Sequence, residues 1–362
     1  MRAAICQATN TPLEVEQVEL PALGHEDIRV RTLASGVCHT DLSFQQGMTG
    51  SPEMFPIVFG HEAVGEVVAV GPGVSRCKVG DIVLGSILPA CGRCWHCVRQ
   101  ESQHCEMTPQ IAFSHHYIRA DGSQALAFTG LGSFAEMMQI SEVSAVPITS
   151  DLPADQLALV GCGVTTGVGA ALWTARVDAG ATVAVFGCGG VGQSVIQGAR
   201  LAGASRIFAV DPVPLKRDMA LKFGATDVID PVAADPVEAI REATGGRLVD
   251  YAFEATGVPA VGRQTFDAIR KRGTAVIVGM PPSDSEICFP GRALFYEEKQ
   301  VKGSLFGSAQ ARAHLQLLVD MAERGQIDLA SMVTNTIPLE AVNQAFADMQ
   351  DGSAVRSVIV FD

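Results

Sequence analysis

The sequence predicts a two-domain α/β protein in which a barrel-like, all-β unit precedes a doubly wound parallel sheet. With 362 residues the chain is longer than a single hydrophobic core usually supports, so two domains are expected. Residues 1 to about 160 carry short β-patterned runs separated by Gly and Pro, as barrels do. From about Gly163 onwards, strands alternate with helical stretches, which is typical of a parallel sheet covered by helices.

Short β-patterned runs separated by turns carry the barrel prediction. Residues 28–31 and 66–70 are β-patterned runs, and the second ends at the turn Gly71-Pro72-Gly73. Residues 78–83 have the pattern of a turn followed by a strand. Residues 106–136 show no clear period, so no element is predicted there.

A histidine and two cysteines near glycines predict a metal site. Cys38, His61 and Cys162 each lie within two residues of a glycine, which lets backbone and ion approach closely. Two thiolates and an imidazole make a zinc site with one position open for water or substrate. Each of the three could instead be an ordinary buried residue, but their shared setting favours metal ligation.

Four further cysteines predict a second metal site. They are spaced C-x2-C-x2-C-x7-C within fifteen residues. Four thiolates leave no open position, so the expected site is a closed, structural zinc. A pair of disulfides is the alternative, which a reducing compartment disfavours. The four residues are Cys91, Cys94, Cys97 and Cys105.

A glycine-rich turn between a strand and a helix predicts a dinucleotide site. The predicted strand 182–186 runs into Gly187-Cys188-Gly189-Gly190-Val191-Gly192 and then a helix, and the next strand ends on Asp211, nineteen positions after Gly192. This order is the fingerprint of a Rossmann fold. The glycines let a pyrophosphate approach the helix N-terminus. A carboxylate facing the ribose repels a 2′-phosphate, so NAD is favoured over NADP.

The remaining strands and helices complete the predicted sheet. With the two strands already described, the runs near 227–229, 249–254, 274–278 and 300–304 make six strands. Helices are predicted at 214–223, 236–244 and 259–269. Beyond the sheet, an amphipathic helix near Leu315 and a strand at 357–360 are expected.

Composition and charge limit the partners and the compartment. The net charge is −13 and no basic run is present, so neither a nucleic acid nor an anionic membrane is expected as a partner. The apolar stretch 157–175 is interrupted by glycines and threonines and makes a poor membrane span. The N-terminus lacks the pattern of a signal peptide, so a cytoplasmic protein is expected.

These motifs together resemble the zinc-dependent alcohol dehydrogenases of the medium-chain dehydrogenase/reductase superfamily, over nearly the whole chain. Within it, the sequence is most similar to the thiol-linked formaldehyde dehydrogenases and the aryl-alcohol dehydrogenases. The resemblance implies a GroES-like catalytic domain over residues 1–163, an NAD-binding Rossmann domain over 164–306, and a return to the catalytic domain over 307–362. It also implies a homodimer. The motifs that carry it are Cys38-His39-Thr40-Asp41, Gly60-His61-Glu62-x-x-Gly65, Gly161-Cys162-Gly163, the cysteine cluster and the glycine turn.

The resemblance implies one catalytic and one structural zinc ion per chain. Zinc with an open position makes an alcohol oxygen easier to deprotonate near neutral pH, after which hydride can pass to a nicotinamide. Glu62 is expected to be either a transient zinc ligand or a charge beside the site. The implied ligands are Cys38, His61, Glu62 and Cys162 for the catalytic zinc, and Cys91, Cys94, Cys97 and Cys105 for the structural zinc.

The resemblance also implies a proton route and a cofactor site. Thr40 takes the alcohol proton, and Ser43 stands where some relatives carry a relay histidine, which leaves water or His39 to complete the route. Asp41 is expected to orient His61. The implied catalytic residues are Cys38, Thr40, His61 and Cys162. The implied cofactor-binding residues are His39, Thr166, Gly187, Gly189, Gly190, Val191, Gly192, Asp211, Lys216, Val278, Met280 and Arg356.

The expected reaction is hydride transfer between NAD and a primary alcohol or its aldehyde. The pocket residues implied by the resemblance are mostly apolar, which suits medium-chain or aromatic alcohols. An S-(hydroxymethyl)-thiol dehydrogenase is one alternative, but residues 106–109 lack the arginine that such enzymes place there. A non-catalytic nucleotide sensor is the other, and the complete ligand set argues against it. The pocket residues are Ile87, His104, Phe134, Met280 and Leu305.

Overall fold

The computed structural model describes all 362 residues, and their contacts divide the chain into two compact units. The first consists of Met1–Gly163 with Gln310–Asp362, and the second of Val164–Ala309. The second unit therefore extends beyond the expected residue 306. Its last turn belongs to it because the backbone of Gly307 lies against Thr165 and Gly169, leaving no room for a side chain.

The first unit is built mainly from short strands. Its strands are β1 Arg2–Cys6, β2 Leu13–Glu19, β3 Asp27–Gly36, β4 Ile57–Val58, β5 Glu62–Val70, β6 Ile82–Gly85, β7 His116–Arg119, β8 Gln124–Ala127, β9 Met137–Ser141 and β10 Ala145–Ile148. Its helices before the second unit are α1 His39–Gln45, α2 Thr108–Ala112 and α3 Ala154–Leu159.

The strands of this unit form a closed barrel and a second sheet. The barrel has the order β1-β2-β7-β8-β4, and its core holds Phe59, Tyr117 and Phe134. The segment 106–136, for which the sequence predicts no element, supplies β7 and β8 to this barrel. Four-residue strands are too short to show a period, and their pairing with distant strands fixes them.

The second sheet brings the end of the chain back to the first unit. Its order is β10-β6-β5-β3, and β9 pairs with β3. The return segment holds α10 Ala311–Glu323, β17 Asn335–Ile337, α11 Val342–Asp351 and β18 Ser357–Val360. β18 pairs antiparallel with β3, so that Val358 faces Gly36. This pairing brings the residues just before β18 close to Glu62, which also pairs with Gly36.

The second unit is a six-stranded parallel sheet with the order β13-β12-β11-β14-β15-β16. Its strands are β11 Thr182–Phe186, β12 Arg206–Val210, β13 Asp227–Ile229, β14 Val249–Glu254, β15 Ile269–Ile277 and β16 Gln300–Gly303. Its helices are α4 Thr165–Gly169, α5 Gly190–Leu201, α6 Pro214–Phe223, α7 Pro236–Ala243, α8 Pro259–Ala268 and α9 Gly291–Tyr296. The predicted α/β fold class, with a doubly wound sheet, is confirmed.

One element boundary in this unit differs from the expectation. The sequence predicts a helix to residue 269 and a strand from residue 274, whereas β15 already begins at Ile269. Ile269 is fully buried and pairs with Val249 on β14. Pairing with a neighbouring strand therefore overrides the helical pattern of the local sequence.

A helical run of 22 residues, Ala154–Ala175, is long and apolar enough to cross a membrane by length and composition alone. Its most apolar window is 78% buried inside the protein, as expected for a core helix. Two parts of the run, Val160–Val164 and Ala170–Ala175, are π-helical. Single π-helical turns are frequent at functional sites, and the first one contains Cys162.

Candidate functional site

Four side chains of the first unit meet in one buried cluster. The potential ligand atoms of Cys38, His61, Glu62 and Cys162 all lie within 4.8 Å of one another, and all four residues are buried. Cys38 immediately precedes α1, whereas Glu62 is the first residue of β5. The sheet and the π-helical turn thus bring together residues that are far apart in sequence.

Asp41 orients the imidazole of His61. Its Oδ1 lies 2.9 Å from His61 Nδ1 and also accepts the N–H of Gly60 at 3.0 Å. Its Oδ2 accepts the N–H of Cys38 at 3.1 Å. One carboxylate therefore holds both the imidazole of His61 and the backbone of Cys38. The expected contact between Asp41 and His61 is present.

The other imidazole nitrogen, His61 Nε2, is buried and has no hydrogen-bond partner. A buried nitrogen without a partner is costly unless something fills the position. Two buried cysteines lie beside it, and thiolates with imidazole are the ligands that zinc prefers. The residues present therefore fit a zinc ion held by Cys38, His61 and Cys162.

The electrostatics of the cluster favour the thiolate, ligating form of Cys38. A hydrogen bond with Cys162 lowers the pKa of the Cys38 thiol well below its ordinary value, against the opposing effect of burial. His61 and Arg356 lower it further. Burial alone would lower the pKa of His61, but Asp41 and Cys38 outweigh it and raise that pKa to about 10.

Glu62 is held from two sides within this cluster. Its Oε1 accepts the N–H of Gly163 at 3.0 Å, and its Oε2 forms an ion pair with Nη2 of Arg356. The side chains are 0% and 5% exposed, respectively. Gly36 lies so close to Glu62 that no side chain would fit there. The structure thus places Arg356, expected at the cofactor pyrophosphate, in contact with the carboxylate of Glu62 in the buried cluster.

The second cysteine cluster is also assembled. The sulfur atoms of Cys91, Cys94, Cys97 and Cys105 lie within 4.8 Å of one another, and all four thiols are free. Backbone N–H groups point at the sulfurs, for example that of Cys94 at 3.4 Å from Cys91 Sγ. Such groups, from Cys97 and Glu106, lower the pKa of Cys94 to about 6. Four convergent thiols with this support fit a structural zinc.

The two histidines inside that segment lie outside the ligand set. Nδ1 of His96 is 3.0 Å from a carboxylate oxygen of Glu101. His104 is exposed and its ring lies against that of His96, with centroids 5.8 Å apart. His104 is thus a surface residue of the cysteine lobe.

The predicted proton route begins on α1. Thr40 is half-buried, whereas His39 is exposed, and His39 Nδ1 lies 3.2 Å from Ser43 Oγ one helical turn further on. Ser43, at the position of the missing relay histidine, therefore contacts the exposed imidazole. The path of the proton itself stays a prediction.

The predicted nucleotide residues lie at the carboxyl edge of the parallel sheet. Gly187, with φ of 89°, follows β11, and its carbonyl oxygen lies so close to Gly192 that no side chain fits there. Asp211 follows β12 and accepts the N–H groups of Cys188 at 2.8 Å and Val213 at 2.9 Å. Gly190 and Val191 begin α5. This turn is the feature that Rossmann folds use to bind pyrophosphate.

The other predicted cofactor residues are spread over the second unit. Thr166 lies in α4 and Lys216 in α6, and both are half-buried. Val278 and Met280 follow β15, and the N–H of Val278 donates to the carbonyl of Glu254 at 2.9 Å. Their contacts with a cofactor stay predictions.

One pocket residue is wrongly predicted, and one neighbour of the metal cluster is missed. Phe134 is fully buried in the barrel core and packs against Phe346, so it cannot line a pocket. Phe128, by contrast, packs edge-on against His61 with ring centroids 5.6 Å apart. It lies in the segment for which the sequence predicts no element, at the start of a turn that contains Gly130 and is followed by Gly132.

Comparisons with known proteins agree along the chain. A family model described as the alcohol dehydrogenase GroES-like domain matches residues 24–150, and one described as zinc-binding dehydrogenase matches residues 190–323. The chain is 37% identical to an NDMA-dependent alcohol dehydrogenase of Amycolatopsis methanolica, covering 99% of this chain and 98% of that protein. It is equally identical to an S-(hydroxymethyl)glutathione dehydrogenase of Photobacterium damsela subsp. piscicida, covering 99% of both.

A solved structure is also similar. The crystal structure of benzyl alcohol dehydrogenase from Acinetobacter calcoaceticus superposes with a TM-score of 0.92 at 30% identity, covering 100% of this chain and 99% of that one.

Proposed function

The chain belongs to the zinc-dependent alcohol dehydrogenase family, and from that premise we propose that it transfers hydride between NAD and a medium-chain or aromatic primary alcohol or its aldehyde. The observation that carries the proposal is the unpartnered Nε2 of His61 between two buried cysteines. It is the donor set of a zinc site with an open position.

We propose that Cys38, His61 and Cys162 hold the catalytic zinc. When bound, zinc supplies a Lewis acid that lowers the proton affinity of an alcohol oxygen. Asp41 keeps the proton on His61 Nδ1 and leaves Nε2 free to ligate, because its carboxylate accepts from Nδ1. Glu62 is better described as a charge beside the site than as a permanent ligand, since Arg356 and Gly163 already hold its two oxygens.

In this proposal, Thr40 receives the alcohol proton and passes it towards solvent. Its hydroxyl sits on α1, two residues after the zinc cysteine, and it is half-buried, so it can connect the interior with the surface. The contact between His39 and Ser43 lies on the same helix and offers the exposed end of such a route. A positioned hydroxyl of this kind speeds a proton transfer because donor and acceptor are already aligned.

The proposed cofactor is NAD, bound at the glycine turn. The open space around Gly189 leaves the start of α5 accessible to a pyrophosphate. Asp211 presents a carboxylate at the end of β12, where a ribose is bound in folds of this kind. The proposed contacts of Lys216, Val191, Thr166, Val278, Met280 and Arg356 with NAD rest on the family resemblance.

An S-(hydroxymethyl)-thiol dehydrogenase is the second candidate function, favoured by the relative with that name. A glutathione adduct carries carboxylates that a cation would have to bind. Residues 106–109, which follow the last cysteine of the cluster, contain Glu106 and no arginine. An acidic residue at this place repels such an adduct, so an uncharged alcohol fits better.

We also propose that two copies of the chain form a dimer through the free edge of the parallel sheet. β16 pairs only with β15, so its other edge is unpaired. α9, which precedes β16 in the chain, exposes Phe295 and Tyr296, which are 75% and 66% exposed. An unpaired strand edge and exposed aromatic side chains are both surfaces that a second copy can cover. Light scattering should give the dimer mass, and Phe295→Asp should give the monomer mass.

Steady-state kinetics test the main proposal. Initial rates with NAD should be measured for ethanol, octanol, benzyl alcohol and geraniol, and for formaldehyde with added glutathione. We expect the highest kcat/KM for an uncharged medium-chain or aromatic alcohol, and Cys38→Ser should abolish that activity. A rate with formaldehyde and glutathione that exceeds all the alcohols would favour the second candidate. The absence of NAD-dependent turnover by zinc-loaded protein would contradict both candidate functions.

A cytoplasmic location stays a prediction.

A further inference from the structure

A carboxylate is buried at the carboxyl end of β14 without an ionic partner. Glu254 is the last residue of this strand and is 1% exposed. Its side-chain hydrogen bonds come only from uncharged donors in the turn that follows. Burying a charge is expensive unless it serves several donors at once. Nothing in the proposed chemistry assigns a task to this residue.

Glu254 ties together two turns. Its Oε1 accepts the N–H of Thr256 at 2.6 Å, the hydroxyl of Thr256 at 2.5 Å and the N–H of Gly257 at 2.8 Å. Its backbone carbonyl accepts the N–H groups of Val278 at 2.9 Å and Gly279 at 3.0 Å. One residue thus fixes the backbone after β14 and the backbone after β15.

The position of Glu254 in the sheet is a place where ligands bind. The chain runs from β11 outward to β13 on one side and from β14 outward to β16 on the other, so the order reverses between β11 and β14. Ligands of open α/β sheets bind at the carboxyl ends of the strands at such a reversal. Glu254 faces Phe186, the residue before the glycine turn, and Ile277, the residue before Val278.

The turns around Glu254 are packed too closely to tolerate extra atoms. A Cβ at Gly187 would lie 2.5 Å from Cγ2 of Thr256, and one at Gly279 would lie 2.7 Å from Oε2 of Glu254. Gly257, with φ of 75°, lies directly against the carbonyl oxygen of Met280. A shift of the turn after β14 would therefore move the Val278–Met280 segment. The glycine turn is also held from its other side, because the N–H of Gly187 donates to the carbonyl of Val210 at 2.8 Å and that of Cys188 to Asp211 at 2.8 Å.

We propose that Glu254 is a positioning residue of the dinucleotide site, which fixes the segment Val278–Met280 for the nicotinamide half of the cofactor. The proposal rests on the proposed NAD-dependent function. The adenosine half is held elsewhere, by Asp211 and the start of α5. Loss of the Glu254 charge should therefore weaken recognition of the nicotinamide half and leave that of the adenosine half intact.

Two cofactor ligands separate these halves. NADH carries both, whereas ADP-ribose lacks the nicotinamide, and the affinity of each can be measured by titration calorimetry. Glu254→Gln keeps the shape and one acceptor oxygen but removes the charge that strengthens the hydrogen bonds. Thr256→Val keeps Cγ2 and removes one of the three donors. Glu242→Gln, at an exposed residue near the C-terminal end of α7, is the matched control.

For Glu254→Gln we expect the Kd of NADH to rise about tenfold and kcat to fall, whereas the Kd of ADP-ribose changes less than about twofold. For Thr256→Val, the Kd of NADH should lie between those of Glu254→Gln and the wild type. For Glu242→Gln, it should equal that of the wild type. Equal losses for NADH and ADP-ribose, or no loss for NADH, would overturn the proposal. A wild type that binds no NADH would overturn the proposed function as well, which separates the two failures.

Discussion

The carboxylate of Asp211 accepts hydrogen bonds from the backbone N–H groups of Cys188 and Val213. Cys188 belongs to the glycine turn, and Val213 immediately precedes α6. Asp211 therefore both faces the expected ribose and holds the loop that would bind the pyrophosphate. A single substitution of Asp211 should therefore change both the preference for NAD over NADP and the stability of the fold.

We expect Asp211→Ser to narrow the preference for NAD over NADP, since the repulsion of a 2′-phosphate is lost. We also expect a loss of about 1–3 kcal/mol in the free energy of unfolding, because buried N–H groups lose an ionised acceptor. Ratios of kcat/KM and urea denaturation measure the two effects. Asp218→Ser, exposed on α6, should change neither. Equal rates of the wild type with NAD and NADP would show the assignment to be wrong.

Thr40 provides a second test at this scale. Thr40→Ala should lower turnover by roughly two to four orders of magnitude, the range expected for loss of a positioned proton-transfer group. Thr40→Ser should retain most activity because the hydroxyl is kept. Ser43→Ala should have little effect, since water can replace a group at the exposed end of the route. Near-normal turnover of Thr40→Ala with zinc and NAD bound would mean that the proton leaves by another path.

At the scale of elements, the turn after β16 has a strained backbone that the sequence does not predict. Phe306, Gly307 and Ser308 all have positive φ, at 53°, 65° and 54°. Such conformations are costly for residues with a side chain. A hydrogen bond between the hydroxyls of Ser308 and Thr174, at 2.7 Å, helps to hold this turn against the preceding helical run.

At Ser308, a glycine variant should therefore be more stable than an alanine variant, which is the reverse of the usual order. Both Ser308→Ala and Ser308→Gly lose the hydrogen bond, but only glycine relieves the left-handed strain. We expect the glycine variant to be more stable than the alanine variant by about 1 kcal/mol in urea denaturation. At Ser285, whose hydroxyl also makes one local hydrogen bond and whose φ is not positive, alanine should be at least as stable as glycine. The same order at both sites would refute the strain argument.

Elements with strong local signals were predictable from the sequence, and those fixed by distant partners were not. The turn between β11 and α5 carries its own glycines and ends near Asp211, so strand, turn and helix follow from one stretch. β7 and β8 exist because they pair with strands far away in sequence. The same limit explains why Phe134 was expected in a pocket, although the barrel buries it.

At the scale of the whole molecule, both cysteine-containing clusters belong to the first unit and are complete. We predict two zinc ions per chain, measured by elemental analysis of protein purified without added metal. Cys91→Ser should lower the content to one and leave the catalytic site loaded, whereas Cys38→Ser should remove the other ion. Protein that contains one zinc, unchanged by Cys91→Ser, would contradict the structural site.

The contacts that complete the candidate site could not be predicted from the sequence, and the reason is the same for each. The members of each cluster could be predicted to meet because zinc chemistry demands particular residue types, with a characteristic spacing in the four-cysteine cluster. Their role as zinc ligands stays a prediction. The pair of Glu62 with Arg356, and the contacts of Glu254 with two turns, depend on which strands become neighbours. No local pattern encodes that choice.

The pairing of β18 with β3 bears on the order in which the chain can fold as it is synthesised. β3 and Glu62 leave the ribosome early, but the strand and the arginine that complete them are translated only after the entire second unit. That unit is contiguous, and contiguous domains generally fold as units while synthesis continues. The first unit must wait with an unpaired strand edge and an uncompensated acidic group beside its cysteines. The candidate metal centre is therefore among the last parts of the nascent protein to form.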